Sequence, residues 1–429
     1  MAQHANKSSH LQLVDRPESV TVAVPLPVLG ALANAENAFF DLCVEVGQQV
    51  FSVLMEQDRE AVCGPKGQHD RERCASRAGS TSSEITLGGR RLAVRRLRAR
   101  STEGEELALP SFAFAADRDP LDRHTMEAIA CGVSTRHYPR QLEKLSKGNA
   151  ERSTSKSAVS RRFVALSRKQ MTAWLSSPLA DFDLRVLMID GIVFEDHTVL
   201  IALGIDGEGN KRVLGLREGT TENSRVAKAL LRDLLERGLD AEQARLFVID
   251  GSKALRVAIR KIFGRLGAIQ RCQVHKRRNI LEHLPERMHA TVGQVLKEAW
   301  DSSDAKLAKR RLEGLASSLE VDHPGAAGSV REGLDETLTL QRMGIDGALY
   351  RTLCSTNPIE NLNGSIATYT RNVKRWQGGA MIVRWASAAV LDAQKRFHRI
   401  RGYKQMPQLA AALESIETEQ NNATDQQVA

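Results

Sequence analysis

The sequence predicts an α/β protein with a helical addition and an N-terminal basic ribbon, and three observations carry that expectation. Two apolar runs end in the same pair of residues, Arg185-Val-Leu-Met-Ile-Asp190-Gly191 and Arg245-Leu-Phe-Val-Ile-Asp250-Gly251. The first is followed by two further strand-like runs across short turns, and then by alternating helix and strand patterns. Beyond Lys276 the chain becomes helical, charged and free of strand runs.

At 429 residues the chain is long enough for several modules and at least one sizeable core. Lys and Arg number 61 against 52 Asp and Glu, a net charge of +9 that favours a polyanionic partner over a neutral one. No apolar segment approaches the roughly 20 residues that span a bilayer, and the N-terminus lacks a charged-then-apolar leader. A cytoplasmic protein with no membrane partner is expected. Six scattered cysteines do not make a secreted disulfide framework. Cys63, His69 and Cys74 match no common zinc spacing, and no fourth ligand is evident.

Taken in order, residues 1 to about 28 form a polar arm, and Leu29 to Glu60 has the apolar spacing of an amphipathic helix (Leu42, Val46, Val50, Val53, Leu54). Cys63 to Ser83 is rich in Gly, Ser and charge. Ile85 to Arg100 reads as one or two strands, and Leu107 to Leu109 as a returning strand after a turn at Glu103–Glu105. Six arginines between 90 and 100, among them Arg95 and Arg98, make this ribbon either a charge-protected sheet edge or a phosphate-contacting face. Residues 1–116 are set apart as this N-terminal region.

Residues 117–176 carry a helix-turn-helix pattern. Met126 to Ser134 has the helix, Gly turn and Ser cap, and a further helix follows through Leu142 and Leu145. After a Ser/Thr/Lys-rich break Ser157 to Leu166 reads as the recognition helix, with Lys156, Ser160 and Arg161 exposed for phosphates or base edges. Residues 177–290 hold the sheet. The Asp190 strand, Thr198–Ile205 and Arg212–Leu216 form an antiparallel meander; a helix from Glu222 to Arg237, the Asp250 strand, a helix from Lys253 to Phe263 and a fifth strand from Ile269 to His275 complete it. The Asp250 strand follows a helix, so it lies parallel to the first and brings both Asp tips to one edge. Three antiparallel strands, helix, strand, helix, strand is the order of the ribonuclease H-like fold. An all-α insertion (291–349), final core helices (350–405) and a polar tail (406–429) follow.

Each candidate carboxylate also has a plain structural reading. Asp-Gly is a common way to leave a strand, and Asn357, Pro358 and Glu360 spell a capping box at a helix start. The fold order changes their meaning. In a ribonuclease H-like core two strand-end aspartates meet a carboxylate from a later helix, and three anions so placed need cations between them. Two Mg²⁺ ions about 4 Å apart, with Mn²⁺ as a substitute, meet that need and catalyse in-line phosphoryl transfer.

The Asp190-Gly191 and Asp250-Gly251 pairs, Cys272 and His275 followed by Arg278-Asn279, and Thr356-Asn357-Pro-Ile-Glu360-Asn-Leu-Asn363 together resemble the mutator-type transposases of bacterial insertion sequences, in consistent order from about Cys131 to Trp376. The resemblance implies a DDE transposase with Asp190, Asp250 and Glu360 as triad and metal ligands, acting on terminal inverted repeats and target DNA as a homodimer or larger assembly. It makes Cys272 and His275 a signature beside the active site, with His275 a phosphate or metal-shell residue and Cys272 packing; a satisfied core histidine is the plain alternative. The segment Arg371 to Trp376, with Lys374 and Arg375, stands where the family has an arginine-rich stretch, and the first 115 residues match only loosely. A transposase-derived DNA-binding regulator without catalysis and a structure-selective nuclease are the competing functions.

Overall fold

The computed structural model describes residues 36–68, 73–87, 90–117, 127–129, 133, 156–219 and 224–428. The expected turn of the helix-turn-helix, Met126, Ser134 and the stretch up to residue 155 lie outside these, apart from 127–129 and 133, as does His69. By backbone contacts the chain divides into two compact units. One comprises Met1–Ile129 with Val133–Arg161, the other Arg162–Ala429 with Ala130–Gly132.

In the first unit a long helix, Glu36–Cys63, packs on an antiparallel hairpin of β1 (Ala75–Leu87) and β2 (Arg90–Ser101). The short β3 (Glu106–Leu107) borders β2, and the helix Pro110–Asp117 follows. Met55, Cys63, Ala75, Ala99 and Leu109 form the core between them. The strand signal at Ile85 starts ten residues late: β1 already begins at Ala75, because its Ser and charged positions face water on an edge strand while Gly79, at φ +74, takes up an irregularity in the pairing. The returning strand is two residues long.

The second unit is built on a five-stranded mixed sheet in the order β6-β5-β4-β7-β8. β4 (Leu184–Phe194), β5 (His197–Asp206) and β6 (Lys211–Gly219) form the expected meander, and β7 (Arg245–Ile249) and β8 (Gly267–Arg271) add in parallel. Helices Ser224–Glu236 and Lys253–Phe263 bury Ala227, Leu230, Leu231, Leu234, Leu255, Ala258, Ile259 and Phe263 against Leu187, Ile189, Phe247, Ile249 and Ile269. Side chains alternate along a strand, so Val186, Met188, Leu246 and Val248 take the opposite face; helices Asn357–Thr370 and Gly379–Gln394 contact β4 and β6 respectively.

Three expectations about this unit are corrected. Gly191 makes no turn: it pairs with Leu200, β4 runs on through Ile192 and Val193, and the chain reverses at Glu195, which sits at φ +48. β8 stops at Arg271, and Cys272 caps a helix, Gln273–Leu281, that already contains His275. The polar tail is a helix, Met406–Val428, whose Met406, Leu409 and Leu413 are fully buried at helical spacing.

The helical segment between Lys276 and Leu349 is present as expected, with its own core of Val292, Leu296, Ala308, Leu312, Leu319, Ala327 and Val330. Two one-turn helices, Leu334–Thr337 and Thr339–Arg342, close over the outer strand β8. Thr339 Oγ1 donates to the Ile269 carbonyl at 2.6 Å, and Gln270 accepts from Leu340 N at 3.0 Å while donating to the Thr337 carbonyl at 3.1 Å. An edge that would otherwise offer free backbone groups is thus covered by side chains and helix ends.

Candidate active site

β4 and β7 pair in parallel with Val186 opposite Leu246, Leu187 opposite Phe247 and Met188 opposite Val248. Carried on by two residues, that register sets Asp190 beside Asp250, on the face opposite the Leu187 and Ile189 core. β7 ends at Ile249, so Asp190 stands inside its own strand but at the level where its parallel neighbour stops. Asp250 opens the next turn: its Oδ1 accepts from Ser252 N at 2.9 Å, and Ser252 in turn accepts from Leu255 N and caps the helix Lys253–Phe263.

Between them Gly251 sits at φ +112, and a Cβ there would stand inside van der Waals contact with the guanidinium of Arg271. Arg271 is only 4% exposed; it donates to the Glu332 carbonyl at 3.0 Å and pairs with its carboxylate at 3.1 Å.

Glu360 comes from the helix Asn357–Thr370, and the capping-box reading fails there. Thr356, not Asn357, is the N-cap, no side chain caps the helix, and Glu360 Oε1 accepts from Thr356 Oγ1 at 2.5 Å instead of reaching back to the backbone. One turn on, Asn363 Nδ2 donates to Asp190 Oδ2 at 2.8 Å, which ties this helix to β4. Asn363 Oδ1 is buried without a hydrogen-bond partner. Sequence reasoning quoted Asn363 but gave it no role; its spacing of three from Glu360, which puts both on one helix face, is the signal that finds it.

Burial, then repulsion from Asp250, pushes the Asp190 carboxyl up to about 6; Glu360 adds to the rise, while the Gly191 N–H and His275 oppose it. A divalent cation among these groups would relieve that repulsion. Three carboxylates and an orphaned amide oxygen are all hard oxygen donors, a set that fits Mg²⁺ or Mn²⁺.

The raised Asp190 has a measurable consequence. The unfolded chain ionises this group near pH 4 and the folded chain near pH 6, so its neutral form stabilises the fold fully below about pH 4 and that stability is lost as pH rises through 6. Without divalent ions, Asp190→Asn is expected to melt above the wild type at pH 7.5, by on the order of 2 kcal/mol. The gap should close at pH 4, and Mg²⁺ should narrow it at pH 7.5. Calorimetric scans at the two pH values, with and without chelator, check this; a gap independent of pH removes the electrostatic cause.

Cys272 and His275 lie against this centre. Cys272 Sγ accepts from His275 N at 3.5 Å, and Thr356 Oγ1 lies 3.3 Å from Cys272 Sγ and 3.3 Å from His275 Nδ1. His275 Nδ1 is 3.7 Å from Glu360 Oε1. Contact with Cys272 holds the His275 imidazole above its ordinary range against the effect of burial. Burial pushes the Cys272 thiol up, but hydrogen bonds from His275 and Thr356 outweigh it and hold it below the usual thiol range. Cys272 is fully buried, as packing requires, and also takes part in these hydrogen bonds, while His275 lies beside Glu360.

The other candidates are placed separately. Arg278 is exposed one turn beyond His275 on the same helix, and Lys374 and Arg375 are exposed on the loop after the Glu360 helix, where Trp376 packs edge-on against Phe194 at 5.0 Å. Lys156 and Arg161 are exposed and Ser160 half-buried on the helix Lys156–Leu175. In the first unit Arg95 Nε donates to Ser80 Oγ at 2.7 Å, while Arg98 and Arg96 both pair with Glu106, at 2.7 and 3.0 Å. A cleft of about 510 Å³ beside the start of the Glu360 helix is lined by Lys211, Arg351, Arg399 and Arg401, and sequence reasoning did not foresee it. Its cations come from three separate stretches of chain, so no local charge run announces it.

A family model described as "Transposase, Mutator family" matches residues 30–399. The chain belongs to the mutator family of transposases. Its relatives include the transposase for insertion sequence element ISRM5 of Rhizobium meliloti, 27% identical over 85% of this chain and 91% of that protein. The transposase for IS256 in transposon Tn4001 of Staphylococcus aureus is 26% identical over 82% of this chain and 90% of its own length. The family match covers both Asp-Gly pairs, the Cys272–His275 pair and the Glu360 helix, and stops before the C-terminal helix. Among the described residues no helix of this mutator-family chain is long and apolar enough to cross a membrane.

Proposed function

We propose that this chain is an insertion-sequence transposase of the DDE type, which cleaves the ends of its element and joins them to target DNA with Asp190, Asp250 and Glu360. The observation that carries the reading is the hydrogen bond from Asn363 of the Glu360 helix to Asp190, together with a parallel β4–β7 register that is paired as far as Met188 opposite Val248 and leads Asp190 towards Asp250. The strand order, a meander extended by two parallel strands and interrupted by a helical segment before the Glu, supports a ribonuclease H-like core.

When bound, two Mg²⁺ ions supply activation of the attacking oxygen and stabilisation of the leaving oxygen. The protein's own groups prepare for that. Ser252 N fixes one oxygen of Asp250, Asn363 and the Gly191 N–H hold the Asp190 carboxyl, and Thr356 holds one oxygen of Glu360, so the carboxylates are oriented in advance for ligation.

DNA contacts are assigned in each unit by itself: Arg95 and Arg98 of the ribbon and Lys156, Ser160 and Arg161 of a helix-turn-helix in the first, and His275, Arg278, Lys374 and Arg375 in the second. The cationic cleft, with Arg351 and Arg401 exposed, adds a seat for backbone phosphates. Terminal repeats and target are the DNA partners, and pairing two ends calls for a homodimer or larger assembly, acting in the cytoplasm.

Purified protein given its element's end DNA and Mg²⁺ should nick it and join the freed 3′ ends to a second duplex. Cleavage without joining would favour a structure-selective nuclease, and binding with neither step a regulator. Arg351→Gln with Arg401→Gln should reduce the slope of log affinity against log salt by about 1.8, two phosphate contacts at roughly 0.9 each. The same pair of changes at Arg95 and Arg98 should do less, since Glu106 already neutralises part of Arg98. Equal slopes in wild type and both variants would remove these arginines from the DNA surface.

A further inference from the structure

We infer that Cys272, His275 and Glu360 form a second metal site, selective for Zn²⁺-class ions, whose occupation draws Glu360 away from the aspartate pair. One donor atom from each of the three lies within 4.8 Å of the others, and this is a sulfur, a ring nitrogen and a carboxylate oxygen, not a cluster of acids. Tetrahedral Zn²⁺ with bonds of about 2.0–2.3 Å requires donors roughly 3.3–3.7 Å apart. His275 Nδ1 and Glu360 Oε1 already stand 3.7 Å apart.

The point between the three donors is occupied by the hydroxyl of Thr356, at 3.3 Å from Cys272 Sγ, 3.3 Å from His275 Nδ1 and 2.5 Å from Glu360 Oε1. It contacts all three candidate ligands, as an ion there would. Rotation of that one side chain frees the position and leaves a fourth place for water.

Cys272 and His275 are rigidly set as the cap and third residue of a single helix, with the Cys272 side chain completely buried and the Cys272 N–H held by the Ile249 carbonyl at 2.8 Å. Glu360 is half-exposed at the rim. Two fixed ligands and one that swings suit a site that fills and empties. Thiolate and imidazole discriminate against Mg²⁺, which keeps to oxygen donors. The same carboxylate thus serves Mg²⁺ with Asp190 and Asp250, or Zn²⁺ with Cys272 and His275.

The binding test uses the full chain stripped of metal, with Cd²⁺ as the spectroscopic probe. Wild type should show a sulfur-to-cadmium charge-transfer band larger than that of Cys272→Ser, and the difference should persist under excess Mg²⁺. His275→Gln keeps every thiol and should lower Zn²⁺ affinity about tenfold or more, measured by calorimetry. Equal bands in wild type and Cys272→Ser, or wild-type Zn²⁺ affinity in His275→Gln, overturn the site. Circular dichroism melting verifies that each variant is folded, and if Cys272→Ser is not, His275→Gln decides alone.

The inhibitory part rests on the proposed cleavage activity. Zn²⁺ should halt Mg²⁺-dependent cleavage at a concentration at least about tenfold lower for wild type than for His275→Gln, each measured against its own uninhibited rate. Equal inhibition in the two removes the withdrawal of Glu360. A wild type that cleaves nothing overturns the transposase reading, while the cadmium band still decides the metal site.

Discussion

Asp190→Asn, Asp250→Asn and Glu360→Gln are each expected to lower DNA strand cleavage by roughly 10³-fold or more while leaving DNA affinity within about twofold. Each change keeps the side-chain size and one oxygen acceptor, so the hydrogen bonds from Asn363, Ser252 and Thr356 have somewhere to go. What is lost is negative charge where a divalent cation must bind. End-DNA nicking in Mg²⁺ and gel-shift affinity, measured on the same preparations, separate the two quantities. Substantial cleavage by any one variant would falsify its assignment as a ligand. Removal of Asp190 should also make the folded protein less dependent on divalent ions, because both the burial of its charge and the repulsion from Asp250 that raise its carboxyl to about 6 go with it.

Gly251→Ala is the second change with a large expected effect, although it removes no functional group. A methyl group at φ +112 costs on the order of 1–3 kcal/mol in backbone strain. It would also drive into the buried Arg271 guanidinium, which is hemmed on its other side by Gly333 at φ +63. Arg271 cannot yield without breaking its bonds to Glu332, so the turn carrying Asp250 must move instead. A displacement near 1 Å at a ligand is enough for about a 10²-fold loss of cleavage. Gly264→Ala is the matched control: its φ is +55, but nothing lies within 4 Å of the added carbon. It should cost on the order of 1–3 kcal/mol in backbone strain and leave cleavage untouched. Similar cleavage by the two variants would deny that Arg271 supports the Asp250 turn.

Much of this architecture was readable before any coordinates because it depends on local pattern. The meander shows as branched apolar runs between short turns, and the helix Lys253–Phe263 as apolar residues at helical spacing; it begins and ends where expected. The failures are places where tertiary context replaces a local rule. Asp190-Gly191 reads as a turn, yet β5 supplies backbone partners beyond the end of β7 and keeps β4 extended. Cys272 reads as strand because cysteine is not among the usual capping residues, though its sulfur accepts the N–H of His275. The C-terminal helix hides Leu409 and Leu413 among Gln, Asn and Glu, and only the packed structure shows that Met406, Leu409 and Leu413 are buried while Glu417 accepts from Ala244 N. The spacing of Asn363 from Glu360 shows the helix face it shares but not its partner Asp190, 173 residues away. The contacts of Thr356 with Cys272, 84 residues away, and of Arg399 with Glu208, 191 away, have no local signal.

The closure of β8 by the two short helices bears on where this chain tolerates change in length. Residues 333–342 act as a lid over a raw sheet edge, so their deletion would leave backbone groups of Gly267–Arg271 seeking partners in another molecule, and such a protein should gather into insoluble, strand-paired material. The turn around Val321, 88% exposed between the helices Ala305–Leu319 and Pro324–Arg331, carries no such duty. Extra residues, or a reporter tag, belong there: the far end of the helical segment can grow, while its root is part of the sheet.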